Sequence, residues 1–172
     1  MKRSIFAISM ACYLIFTGCN SETNKTANSQ ENSQAQKNIA AFKTVSDAFQ
    51  SGDVSKVDSV VADDFVDHTD HGDVKGKDSL KAGITMMHDN FKDMKNELVH
   101  IVADNDYVFA WMKMSGTSDG AMGMPPGPFN MSAVDVVKFN NEAKATEHWS
   151  FIDPNDMMKM MNQPMPKDST KK

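Results

Sequence analysis

Cysteine is scarce in this chain of 172 residues: there are two, Cys12 and Cys19, both within the first nineteen. The remainder therefore offers neither a disulfide nor a cysteine metal site. Long apolar runs are also lacking. The longest, residues 5–16, is broken only by Ser9 and is shorter than the about 20 residues that cross a bilayer core. Positive charge is in deficit, with 18 Lys and Arg against 23 Asp and Glu. An acidic surface repels phosphate backbones, which argues against nucleic acid as a partner. No nucleophile elbow, phosphate loop, zinc-protease helix or paired-cysteine motif is expected.

What is present begins with an export pattern. Lys2 and Arg3 precede the apolar run, and Phe16-Thr17-Gly18-Cys19 places small residues directly before a cysteine. That is the layout of a secretory signal rather than of a spanning helix. Its end resembles a bacterial lipobox, with Phe16 where leucine is customary. The resemblance implies that residues 1–19 contain the signal and that Cys19 becomes the lipid-bearing first residue. The alternative is an ordinary cleaved signal with a chance cysteine. Removing the signal takes away Lys2 and Arg3 and no acid, so 16 basic residues face 23 acidic ones, a net charge of −7. Such a surface does not dock on anionic lipid, so the lipid itself would hold the protein to the cell envelope, outside the cytoplasm.

Residues 20–36 are rich in Ser, Thr, Asn and Gln and carry no large apolar side chain. They read as a flexible tether. A second polar tail covers residues 162–172. Between them, residues 37–161 have the size of one domain. Ile39, Phe42, Val45, Ala48 and Phe49 recur at helical spacing, with Gly52 as a stop. Asp53 can cap a short second helix, and residues 77–90 read as a third, with Leu80, Ile84 and Met87 on one face. Residues 97–103, 107–115, 130–140 and 143–152 read as strands separated by turn signals. A short terminal helix follows Asp153. Helices first and an antiparallel sheet afterwards define an α+β fold.

Four segments, in this order, carry a family resemblance. They are Phe65-Val66-Asp67-His68 with Gly76-Lys77-Asp78-Ser79-Leu80; Asp104-Asn105-Asp106-Tyr107-Val108 leading to Ser115-Gly116-Thr117; Gly123-Met124-Pro125-Pro126-Gly127; and Ala133-Val134-Asp135-Val136-Val137-Lys138-Phe139 with Glu147-His148-Trp149 and Asp153. Together they resemble the SnoaL-like polyketide cyclases of the nuclear-transport-factor-2-like (NTF2-like) superfamily. The resemblance implies a cone, in which a curved antiparallel sheet wraps three N-terminal helices around an apolar cavity. It also implies cofactor-free, metal-free acid/base chemistry on a small apolar or carbonyl-bearing molecule. Relatives of the fold include epoxide hydrolases, isomerases and proteins that only bind. A non-catalytic envelope lipoprotein that binds a ligand or pairs with a second copy is therefore the alternative.

Asp135 is the most informative position. Residues two apart in a strand share a face, so Met131, Ala133, Val137 and Phe139 point with it. A carboxylate on an apolar face is costly unless partnered or neutral, and burial suits it to general acid or base work. A structural aspartate hydrogen-bonded to its neighbours is the alternative. The resemblance makes Asp135 the acid/base, with His68 or His148 expected to assist. Asp135 and His148 are the catalytic candidates, and His68, Trp111, Phe139 and Trp149 are expected around the ligand. Ser118 stands where cyclase-type members carry a histidine, and Pro126-Gly127-Pro128 replaces their Pro-Thr-Gly. As sequence neighbours, His148 and Trp149 face opposite sides of a regular strand.

Two metal readings stand beside these. In residues 67–73 two histidines and flanking carboxylates have spacing that suits zinc or nickel, on what reads as a loop after a short strand. The chain's 15 methionines could hold copper(I), but they fall at core spacing, as adaptable packing would.

Overall fold

The computed structural model describes residues 22–120 and 123–161. Ten elements follow in chain order: α1 (Glu22–Ser51), α2 (Val57–Val60), β1 (Val61–Thr69), β2 (Gly72–Lys75), α3 (Lys77–Asn90), β3 (Phe91–Ala103), β4 (Tyr107–Ser118), β5 (Gly127–Phe139), β6 (Ala145–Ile152) and α4 (Pro154–Met161). The six strands form one curved sheet in the order β2-β1-β6-β5-β4-β3. This is the expected α+β architecture of helices against a wrapped sheet. The expected signal and Cys19 lie outside the described residues, as does the tail from 162 onward. No helix among the described residues is long and apolar enough to cross a membrane.

Beyond shifts of strand ends, the largest being β3, which starts at Phe91 and not at residue 97, three features differ from the sequence reading. Helix α1 starts at Glu22, so residues 22–36, expected as tether, are helical. Two Glu, three Gln, two Ala and one Lys in that stretch lose little side-chain freedom in a helix. By Gln34 the helix is docked, since the Gln34 amide donates to the Asn140 carbonyl at 3.3 Å and to Asn38 Oδ1 at 3.0 Å. Second, residues 67–73 are not a loop. They belong to the β1–β2 hairpin, where His68 pairs with Asp73 and Thr69 with Gly72. Third, the sheet is not wholly antiparallel, because β1 runs parallel to β6, setting Asp67 beside His148 and His68 beside Trp149.

The core forms on the helix-facing side of the sheet. Ala41, Phe42 and Ala48 of α1 and Leu80 and Ile84 of α3 pack on Val108, Ala110 and Met112 of β4 and Val137 and Phe139 of β5. The alternation of the strands produces this: every second residue turns inward, and those inward residues are apolar. A second cluster gathers at the far end around Phe91 and Phe129, whose rings meet edge to face at 5.4 Å. Met87, Met94, Met114, Met124, Met131 and Met160 surround them. These methionines are core packing, as their spacing suggested. Asn38 is fully buried, and its amide donates to the carbonyls of Asn105 at 2.9 Å and Asp104 at 3.3 Å. The β3–β4 turn is thereby tied to α1.

Candidate functional site

Asp135 sits on the helix-facing side of β5, between buried Ala133 and Val137 and between the two apolar clusters. Register places it beside Ala110 of β4 and Ser150 of β6. It is not the unpartnered carboxylate that its apolar face suggested. The Ser150 hydroxyl donates to Asp135 Oδ1 at 2.7 Å, and His148 Nε2 lies 3.7 Å from the same oxygen. Among the described residues no hydrogen bond reaches the second carboxylate oxygen. The Asp135 side chain is 20% exposed and Ser150 is open to solvent, so a small molecule has access from the β6 side.

His148 joins two carboxylates. Its Nδ1 lies 2.8 Å from Asp67 Oδ1 on β1, while Nε2 turns toward Asp135 on β5. Burial opposes charge on the ring, but the Asp135 and Asp67 carboxylates outweigh it and push the pKa up to about 9. His148 is therefore a cation at neutral pH, with both ring nitrogens protonated. A gap of 3.7 Å is longer than a hydrogen bond. The Nε2 proton thus remains available to an oxygen placed beside Asp135.

The other residues expected at the site are elsewhere. His68 and Trp149 lie on the outer side of the sheet, one strand position from Asp67 and His148 and facing the opposite way. Their rings stack at 4.6 Å, 13° from parallel. His68 Nε2 meets Glu147 at 3.1 Å and Nδ1 meets Asp73 at 2.9 Å. Those two carboxylates hold its pKa above the ordinary value. Glu147 also binds Lys138 at 2.7 Å, and Lys138 together with His68 lowers its pKa. Trp111 is likewise on the outer side, 46% exposed, with its indole N–H donating to Ser132 Oγ at 2.6 Å. Phe139 does face the helices, but at 4% exposed it is a core filler. His68, Trp111 and Trp149 therefore do not line a cavity with Asp135, and the strand alternation is the cause.

The metal spacing in residues 67–73 dissolves in the same way, with Asp67 turned inward and His68 outward. Among the described residues no three His, Cys, Asp or Glu side chains converge to hold a metal ion. Residues 116–120 spell Gly-Thr-Ser-Asp-Gly, the spacing of a nucleophile elbow. That motif needs a strand-to-helix turn with an exposed serine. Here Ser118 is buried at the end of β4, and its hydroxyl accepts from Gly120 N–H and donates to the Met124 carbonyl. It is also eight residues along the strand from Ala110, roughly 26 Å at about 3.3 Å per residue. Ser118 cannot serve Asp135.

Two clefts run along α1. The larger, about 240 Å³, has a floor of Phe42, Leu98 and Met112 and a rim that includes Lys43 and Asp47. The other, about 130 Å³, lies near Asp47 and Asp53. Neither includes Asp135 or His148. The acid/base group lies outside both clefts, at the partly exposed β6 side of the core.

Sequence reading missed Asp67 as a member of this group. The signal that could have found it is the alternation of β1, where Phe65 and Asp67 share the inward face.

Residues 39–163 match the family model of the SnoaL-like polyketide cyclases, and the chain belongs to that family. A protein of Jannaschia sp. CCS1 described as a SnoaL-like polyketide cyclase superposes with a TM-score of 0.64 at 16% identity, over 76% of this chain and 94% of its own. IdmH of Streptomyces antibioticus, described as a polyketide cyclase, gives 0.59 at 23% identity, over 73% and 99%. An LEH-like epoxide hydrolase of M. tuberculosis gives 0.60 at 17% identity, over 74% and 91%. At such identities these likenesses speak for the fold alone. No curated protein matches the chain in sequence.

Proposed function

We propose that this protein is a lipid-anchored envelope enzyme that moves a proton on a small, neutral, carbonyl-bearing molecule without a cofactor. The observation that carries the reading is Asp135, a carboxylate on an apolar strand face with the cationic ring of His148 beside it. A base and a hydrogen-bond donor side by side suit enolisation. Asp135 takes the proton from the carbon α to a carbonyl, the C–H electron pair becomes the enolate C=C bond, and the carbonyl oxygen takes up the negative charge. The His148 Nε2–H donates to that oxygen. Return of the proton from Asp135 to a carbon of the enolate system completes an isomerisation. In a ring closure the enolate carbon attacks a second carbonyl of the same molecule, that C=O π pair moves to its oxygen, and the new alkoxide takes the proton held by Asp135. One cation against two carboxylates leaves the site net negative, which favours a neutral substrate over an anion.

The address rests on the export pattern and on Cys19 as the lipid-bearing residue. A ligand would then come from the envelope or the medium. To test the reading, Asp135→Asn is compared with the parent on a panel of enolisable ketones and esters. Turnover should fall about 10²- to 10⁴-fold, the scale of general acid/base catalysis. Unchanged turnover removes Asp135 from the mechanism.

A second reading has its own support. The outer side of the sheet carries Val102, Phe109, Trp111, Val134 and Phe151, all exposed and neighbours across β3, β4, β5 and β6. A contiguous apolar patch of this kind marks an interaction surface. It supports a pairing module in which two copies meet through this face, with or without chemistry on the other side.

A further inference from the structure

We propose that Asp67 is a positioning residue, which fixes the ring of His148 through Nδ1 and so aims its Nε2–H into the space beside Asp135. The inference rests on the proton-transfer reading above, but its test does not depend on turnover.

The geometry is that of a relay across three strands. Asp67 on β1, His148 on β6 and Asp135 on β5 share the helix-facing side, in neighbouring strands of one sheet. The Asp67 contact is a short charge-assisted hydrogen bond of 2.8 Å, whereas the Asp135 contact at 3.7 Å is an ion pair without a hydrogen bond. The two carboxylates therefore do different work. Asp67 satisfies one ring nitrogen fully and fixes the ring plane. Asp135 leaves the other nitrogen free to reach an incoming oxygen.

Asp67 is suited to holding rather than reacting. It lies on the far side of the imidazole from Asp135, and register seats it directly opposite His148 in the parallel β1–β6 pair. The charged groups the structure sets against His148 are Asp67 from β1 and Asp135 from β5. With Asp67 neutralised, the ring would keep one carboxylate partner, turn more freely about its side-chain bonds and give up its proton more readily.

The experiment is a ring-nitrogen NMR titration of His148 in the parent, Asp67→Asn, Asp67→Glu and Asp135→Asn proteins. In the parent, both ring nitrogens are expected protonated at neutral pH, with the Nδ1 proton a slowly exchanging downfield resonance. In Asp67→Asn the titration midpoint should fall by about one pH unit or more, and the Nδ1 proton should exchange too fast to observe. Asp67→Glu should restore part of both. A merely structural Asp67 would alter melting without moving the His148 titration. The proposal is overturned if folded Asp67→Asn keeps the parental midpoint and Nδ1 signal. It is equally overturned if the parent shows no protected Nδ1 proton, a result that needs no variant. Should Asp135→Asn leave turnover intact while these signals behave as expected, the catalytic reading fails and the positioning role stands.

Discussion

His68 and Trp149 stack face to face with centroids 4.6 Å apart, on the side of the sheet opposite Asp135. Adjacent residues in β1 and in β6 thus build two separate assemblies, back to back across the sheet. Inside, Asp67 and His148 join Asp135. Outside, His68 and Trp149 join Glu147, Lys138 and Asp73.

This division predicts that the outer assembly stabilises the β1–β6 contact and takes no part in catalysis. Trp149→Ala should lower stability by about 1–3 kcal/mol through lost stacking and area. Its kcat should stay within a factor of about three of the parent. Denaturant melts alongside single-substrate kinetics separate the two effects. A loss of kcat larger than the loss of folded protein would place Trp149 in the site after all.

The raised pKa of His148 predicts a pH-dependent stability. The folded value of about 9 lies above the ordinary 6.5. The folded state therefore holds its proton more tightly than the unfolded chain does. The added stability is complete below pH about 6.5, declines as pH rises and is gone above about 9. It amounts to at most about 3 kcal/mol at 1.36 kcal/mol per pH unit. Thermal melts from pH 6 to 10 should show Tm falling across that window in the parent. The fall should be much smaller in His148→Gln.

Helix α1 ends on Gly52, whose φ is +74° and whose N–H donates to the Ala48 carbonyl at 2.8 Å. That left-handed conformation suits glycine at a helix C-terminus. A Cβ there would also approach the His88 ring at 2.7 Å. Gly52→Ala is predicted to cost about 1–2 kcal/mol in denaturant unfolding. A neutral or stabilising result would contradict the assigned cap.

The apolar outer face predicts self-association. Phe151 is 61% exposed and Trp111 is 46% exposed. Sedimentation of the soluble domain should show a dimer that Phe151→Glu or Trp111→Glu converts to monomer, because a charge buried at an apolar contact is strongly unfavourable. A parent that is monomeric at high concentration would remove the pairing reading.

Much of the fold was legible because its signals are periodic. The apolar spacing of Phe42, Val45 and Phe49 and the alternation around Asp135 required only the geometry of a helix and of a strand. The opposition of His148 and Trp149 also followed from alternation. The pairing of β1 with β6 did not, since it joins Asp67 to a residue 81 positions later in the chain, and a parallel contact over such a distance leaves no local trace. Asp67 and the true side of His68 were lost with it. Trp111 lies on the outer face because its neighbours Ala110 and Met112 take the inner one, a placement that alternation along β4 also carries. The start of α1 was missed because its first turns carry no large apolar residue, so period gave no signal there.

The proposed function requires that Asp135, with His148 beside it, remove a proton next to a carbonyl. The most direct measurement is deuterium uptake at the α-carbon of small enolisable ketones in heavy water, followed by NMR, with parent, Asp135→Asn and His148→Gln proteins. Catalysed exchange is expected of the parent, with a loss of at least about 10²-fold in Asp135→Asn and a smaller loss in His148→Gln. Exchange that is equal in parent and Asp135→Asn, with both proteins folded, would contradict it.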